Sequence, residues 1–411
     1  MPSLPSHEDT GKLEALERFL LRLHRDGARD SHLLNSIAQL YYKKLNDSEK
    51  ALVFYKKALD CSADEQERSA ASFNIGCVYM SLGRYAEAVA CFDQSLGTRG
   101  VGKARWNKCL ALLHNGDWLE GMRLYAARCD MTSCDAVVPL KLPIPFAADL
   151  DSLRGKRVLV VNEQGFGDEI LFSRALPIVL KVSEALFVKC SPSLRKLFQA
   201  SMPAVQFFDE HSLDIIAATR IDCWTNTGDL FAMACTNETP FPPVHELSAP
   251  TVKELPSQGR QTAKIGVCWA CNPKSENYAK RSLTLEDIDF LSGVSSAEFY
   301  SFQTDGVPVP GWMVDLSAEL VAFDDTAAYL KQMDFVITID SVIAHLAGAM
   351  RRPGMLVHGA FLDWRWKYRS NGDFSRLYPT MMVAGLEELK IRAARGFDKD
   401  FAGCCLRNPQ P

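Results

Sequence analysis

No part of this chain holds the roughly twenty consecutive apolar residues that a membrane-spanning helix needs, so a span is not expected. Charge of one sign is also scarce. Forty-six basic residues against 50 acidic ones leave a formal net charge of −4, which excludes a general nucleic-acid binder. The first ten residues are polar, carry prolines at 2 and 5, and lack the apolar core of a secretory leader. A cytoplasmic location is therefore expected. Cysteine is not scarce: the 13 cysteines include Cys77, Cys91 and Cys109 within ordinary core patterns, as reduced thiols would be. What remains is a globular composition, 47% apolar and 23% charged. At 411 residues it has room for two or three domains.

Three short patterns suggest metal or redox chemistry and fail on context. Cys268-Trp269-Ala270-Cys271 has redox-pair spacing, but Asn272-Pro273 follows where a helix should begin. Cys404-Cys405 has no second pair at zinc spacing. Asp287-Ile288-Asp289 reads as the acidic start of a helix. No metal and no cofactor are expected.

The first 130 residues are helical and repetitive. Ala51, Ala88 and Gly121 are spaced by 37 and 33 residues, and Tyr55, Phe92 and Tyr125 each follow four later. Small residues let two helices approach; the aromatic ring then fills the interface. Turns at Leu45-Asn46-Asp47, Leu82-Gly83-Arg84 and Asn115-Gly116-Asp117 separate the helices of each pair. This resembles the tetratricopeptide repeat, clearest over 69–100. Such arrays bind peptides or proteins on a concave face, or serve only as a packing cap.

Prolines 139, 143 and 145 punctuate an expected linker over 131–155. Strand-like runs then alternate with helical ones. Arg157–Val161 leads into Asn162-Glu163-Gln164-Gly165-Phe166-Gly167-Asp168, and a second series restarts near Ile265 after a polar stretch, 248–261. The alternation predicts two parallel α/β domains, 156–255 and 262–395.

Candidate chemistry sits at the ends of these strands. The run Phe335-Val336-Ile337-Thr338-Ile339 turns at Asp340-Ser341 into a small-residue helix bearing His345 one turn on. Its first amides and the positive end of its dipole suit a diphosphate. Gly165 and Gly167 bring bare backbone to the edge of the first sheet. Ile170 and Lys189 stand where a dinucleotide fingerprint needs a small residue and an acid, which excludes NAD. Asp168 and Glu163 are the general-base candidates; a helix N-cap is the alternative for Asp168. Lys274, Lys280 and Arg281 are cations suited to a diphosphate leaving group. Trp364-Arg365-Trp366 reads equally as a stacking platform or as packed core.

These motifs, followed by Tyr378-Pro379, occur in the order found in bacterial proteins joining tetratricopeptide repeats to a module similar to the family-9 heptosyltransferases. The resemblance spans about residues 33–380. It implies a GT-B architecture, with the nucleoside-diphosphate sugar bound mainly by the C-terminal domain, and metal-independent, inverting transfer. It makes Asp168 the base and Arg281 the donor-phosphate cation, with Lys280 as a substitute. Asp340 would touch the sugar, Ser341 and His345 the diphosphate; Trp269 and Asn272 fall on the donor side. The expected activity is transfer of a sugar from a nucleotide sugar to a protein or cell-surface glycan, a protein or peptide acceptor being reached through the repeats. A lipopolysaccharide-core heptosyltransferase and a non-catalytic scaffold are the alternatives.

Overall fold

The computed structural model describes residues 7–25, 30–96, 101–130, 142–208, 219–256, 262–273, 278–304, 306–359, 361–368 and 373–396. The chain separates into two compact units, Met1–Val138 and Pro139–Pro411.

The first unit is a run of helices: α1 (His7–Arg25), α2 (Ser31–Lys43), α3 (Ser48–Asp60), α4 (Glu65–Ser81), α5 (Tyr85–Ser95), α6 (Val101–Asn115) and α7 (Trp118–Arg123). Each packs on the next. Aspartates set three of the starts: Asp30, Asp47 and Asp64 accept from the amides of Leu33, Lys50 and Glu67 at 2.7–3.0 Å. The three turns share one backbone solution. Asn46, Gly83 and Gly116 adopt φ of +52°, +71° and +101°. The next amide then returns to a carbonyl of the preceding helix: Asp47 to Tyr41, Arg84 to Tyr79 and Asp117 to Leu112, each at 2.9 Å. Ala51 and Ala88 are fully buried, as are the rings of Tyr55, Phe92 and Tyr125. A Cβ on Gly76 would lie 2.6 Å from the Phe92 ring, and one on Gly121 2.6 Å from Leu113. Small residues thus face large ones across the helix pairs, as the repeat pattern requires.

The second unit holds two all-parallel sheets. The first is built from β1 (Arg157–Val161), β2 (Ala185–Lys189), β3 (Gln206–Phe208) and β4 (Cys223–Asn226), in the order β3-β2-β1-β4. Its connections include α8 (Phe166–Phe172), α9 (Leu176–Leu180), α10 (Pro192–Ser201) and, after β4, α11 (Thr227–Ala234). The second sheet contains β5 (Ala263–Cys268), β6 (Ala297–Ser301), β7 (Met313–Asp315), β8 (Phe335–Thr338), β9 (Gly354–His358) and β10 (Met381–Gly385). Its order is β10-β9-β8-β5-β6-β7. The helices here are α12 (Tyr278–Arg281), α13 (Leu285–Ile288), α14 (Phe323–Leu330), α15 (Val342–Ala349), α16 (Trp364–Lys367) and α17 (Leu386–Ala394). Strands covered on both faces read as continuous apolar runs. Ile265, Val267, Phe335, Ile337, Met355 and Val357 make the core of the second half.

Strand order decides where a ligand can sit. Successive crossovers run one way from β5 to β7 and the other way from β8 to β10, so the loops after β5 and β8 diverge and leave a crevice at their carboxyl ends. The first sheet has the same reversal between β1 and β4.

Two stretches expected to be linkers are partly built into the fold. Ala147 donates to the Trp224 carbonyl at 2.8 Å and the Trp224 amide to the Pro145 carbonyl at 3.0 Å, so the chain around Phe146 extends the edge at β4. Residues 131–141 lie outside the described residues. Over 248–261, Leu255 is buried and Lys253 pairs with Asp325 at 2.9 Å. An apolar anchor or a charge pair is enough to hold an otherwise polar segment against a domain.

Candidate active site

The crevice beside β5 and β8 opens into a cavity of about 450 Å³. Gly167, Asn272, Arg281 and Ser341 line it, as do Phe166 and Ser193 from the first half. Phe166 meets Phe323 edge-on at 5.0 Å, so the two halves share the cavity wall.

The wall nearest β8 is the start of α15. Ser341 is the N-cap, with extended backbone, yet its hydroxyl bonds Thr338 at 3.1 Å instead of capping the helix amides. Val342 and Ile343, which carry the first amides, line the cavity. Those donors and the positive helix end face it. Arg281 stands at the same edge. Its guanidinium holds the Asp340 carboxylate at 3.1 Å and the Asp340 carbonyl at 2.5 Å. Trp366 Nε1 donates to the other Asp340 oxygen at 2.8 Å. Burial and the nearby Asp363 carboxylate push the Asp340 pKa up; Arg281, Trp366 and Arg365 oppose the shift.

Asp168, the residue after cavity-lining Gly167, sits in the first turn of α8 and is not itself among the lining residues. Gly165 is the N-cap of that helix and accepts from the Asp168 amide at 3.0 Å, so the N-cap alternative for Asp168 does not hold. Its carboxylate points away from its own helix to Arg365 Nη2, at 2.5 Å. Arg365 Nη1 binds Asp363 at 2.9 Å. One guanidinium thus links a carboxylate from each half.

Several expected site residues have other work. Glu163 is buried and accepts from the Gly228 amide at 2.8 Å, pinning the loop after β1 to the start of α11. Trp269, the residue after β5, is 2% exposed and belongs to the core of the second half. Lys280 is exposed and does not line the cavity, whereas the next residue, Arg281, does. Lys274 lies outside the described residues, as do Cys404 and Cys405. A Cβ on Gly165 would meet open space, so the close approach is at Gly167; the left-handed residue in this loop is Gln164, at φ +64°. Cys268 and Cys271 are free thiols, and burial pushes Cys268 up to about 12. Asp287 forms a capping box with Thr284, as a helix start should. Among the described residues, no three His, Cys, Asp or Glu side chains gather as a metal site.

His345 departs furthest from expectation. Its side chain is buried, with Nδ1 3.1 Å from the Tyr378 hydroxyl and the Trp366 ring tilted against it at 5.0 Å. Burial, with Arg365 and Arg281 nearby, depresses its pKa to about 3. The ring is therefore held neutral, and it is not among the residues lining the cavity.

The sequence reading missed two arginines. Arg365 lies between Trp364 and Trp366, both buried core rather than a stacking platform. Arg174 is buried, donates to the Leu377 carbonyl at 2.8 Å and to the Pro242 carbonyl, and lies 5.6 Å from the Tyr378 ring. Burial lowers its pKa to about 10, so it stays charged at neutral pH and ties the first half to the second.

A tetratricopeptide-repeat profile matches residues 31–64 and 69–99. In this chain the matched repeats precede two all-parallel α/β halves. The chain is similar to Protein FlbA of Caulobacter vibrioides, at 23% identity over 355 residues, covering 77% of this chain. It spans 58% of the length of that curated relative. Among solved structures it is similar to the dodecameric iron-containing heptosyltransferase TibC in complex with ADP-D-beta-D-heptose. That match has 13% identity and a TM-score of 0.39, covering 52% of this chain and 60% of the other. It is also similar to the E. coli ADP-heptose lipopolysaccharide heptosyltransferase II, at 14% identity and a TM-score of 0.39, covering 58% and 99%. A mutant of the Thermobaculum terrenum O-GlcNAc transferase matches at 14% identity and a TM-score of 0.33, covering 96% and 88%. No helix among the described residues is long and apolar enough to cross a membrane.

Proposed function

We propose that the second unit is a glycosyltransferase using a nucleoside-diphosphate sugar. The observation that carries this reading is the joint placement of Arg281 and the uncapped start of α15 on one cavity at the strand-order reversal. Fixed amide dipoles and a guanidinium neutralise charge that grows on a departing diphosphate, so transfer needs no metal. Asp340, held between Arg281 and Trp366, anchors that guanidinium at the cavity edge. Asp168 is the general base. Arg365 occupies its Oδ1, which leaves Oδ2 to receive the proton of an acceptor hydroxyl attacking the anomeric carbon. Attack from the side opposite the leaving group inverts the anomeric centre. The acceptor is a protein or a cell-surface glycan intermediate, with the repeats recognising a protein acceptor.

The test is release of nucleoside diphosphate from a panel of ADP-, GDP-, CDP- and UDP-sugars, in chelator. Release from one base class supports the reading; stable donors and no binding of any diphosphate overturn it.

A further inference from the structure

The contact between Gly167 and His345 carries an inference about how the base is placed. Gly167 lines the cavity on one side, and the His345 ring lies behind its backbone. A Cβ on Gly167 would come within 2.7 Å of His345 Cδ2 and 3.4 Å of Nε2. Only a glycine allows this approach. The ring cannot easily yield. Its Nδ1 is 3.1 Å from the Tyr378 hydroxyl, and Trp366 packs against it. Tyr378 is itself wedged on Gly348, where a Cβ would meet the ring at 2.3 Å, and lies under the Arg174 guanidinium. Trp366 is held by its bond to Asp340. The first turn of α8 therefore rests on a ring fixed on its other sides by the second half, and Asp168 is the next residue after the contact.

We propose that His345 is a positioning residue whose ring seats the Gly167 backbone and so sets where the Asp168 carboxylate stands in the cleft, and that it is not a phosphate ligand. This rests on the reading of Asp168 as base. The competing role, a hydrogen bond from His345 to the diphosphate, predicts different kinetics.

The experiment uses the full-length chain with ADP, GDP, CDP and UDP as binding probes, and the nucleotide sugar whose hydrolysis the wild type supports. His345→Phe keeps a ring and removes the nitrogens. A seat predicts diphosphate affinity and hydrolytic kcat both within about threefold of wild type. Gly167→Ala should lower kcat by about tenfold or more with donor KM within about threefold. Pairing it with His345→Ala should recover much of that loss, because the clash is removed. A diphosphate affinity that falls about tenfold in His345→Phe, with nucleoside affinity unchanged, overturns the proposal. So does a double variant whose losses simply multiply. Should Gly167→Ala not fold, the His345→Phe comparison decides by itself. A wild type that binds none of the four diphosphates overturns the parent reading instead, an outcome distinct from both.

Discussion

Arg365, from the second half, reaches Asp168, from the first, at 2.5 Å, across 197 residues of sequence. The same guanidinium holds Asp363 at 2.9 Å. Removing it would leave two carboxylates facing one site with no cation between them. Arg365→Ala is expected to lower stability by about 1–3 kcal/mol, the group being mostly but not fully enclosed. Urea unfolding measures this. An unchanged midpoint would mean that the pair does not tie the halves together.

Asp168→Asn should abolish transfer and leave nucleoside-diphosphate affinity within about twofold. The amide keeps the size of the carboxylate and can still meet Arg365 through its oxygen, but it cannot take a proton from an acceptor. Steady-state transfer and calorimetric binding on the same variant separate the two effects. Wild-type turnover would remove Asp168 from the mechanism.

The three repeat turns make a controlled series. Gly83 and Gly116 sit at φ +71° and +101°, and Asn46 at +52°. Alanine at either glycine should cost about 1–2 kcal/mol through left-handed strain, since the added Cβ meets nothing. Asn46→Gly should change stability by less than about 0.5 kcal/mol. Equal effects at all three positions, read from the unfolding midpoints, would show that backbone handedness is not what the turns select.

The buried His345 gives stability a pH dependence with a definite sign. Its folded pKa is depressed from 6.5 to about 3. Between those values the unfolded chain binds a proton that the folded chain does not, so stability falls as pH drops. The slope from this one group approaches about 1.4 kcal/mol per pH unit. Asp340 acts in the opposite sense: its raised folded pKa makes its contribution fall as pH rises through the shifted range. Comparing wild type with His345→Phe isolates the histidine. The variant should lose less stability than wild type between pH 6.5 and pH 4.5, which span part of that window. Parallel curves would show that the imidazole is not held neutral.

The sequence carried the architecture because the signals were local. Small residues at Ala51, Ala88 and Gly121, each followed by a ring four residues on, mark a helix pair without any tertiary information. The apolar run Phe335–Thr338 and the turn at Asp340-Ser341 likewise announced a strand entering a helix. The site was legible only where its chemistry is local. Arg281 and Ser341 line the cavity, as their positions after β5 and β8 suggested. Glu163 misled because its partner, Gly228, lies 65 residues away. Arg365 was invisible for the same reason, and the flanking tryptophans drew attention to themselves. His345 was expected at the phosphate from helix periodicity and from the resemblance, and periodicity places a residue on a face but not what covers that face. Gly167, from the other half, covers it.

The most direct test of the central claim is a calorimetric titration in chelator. It compares the preferred nucleoside diphosphate with its nucleoside, for wild type and Arg281→Ala. Diphosphate binding should survive chelation, exceed nucleoside binding, and weaken by about 1.5–3 kcal/mol in the variant while nucleoside binding barely changes. Equal affinity for nucleoside and diphosphate, or equal losses for both in Arg281→Ala, would contradict the account.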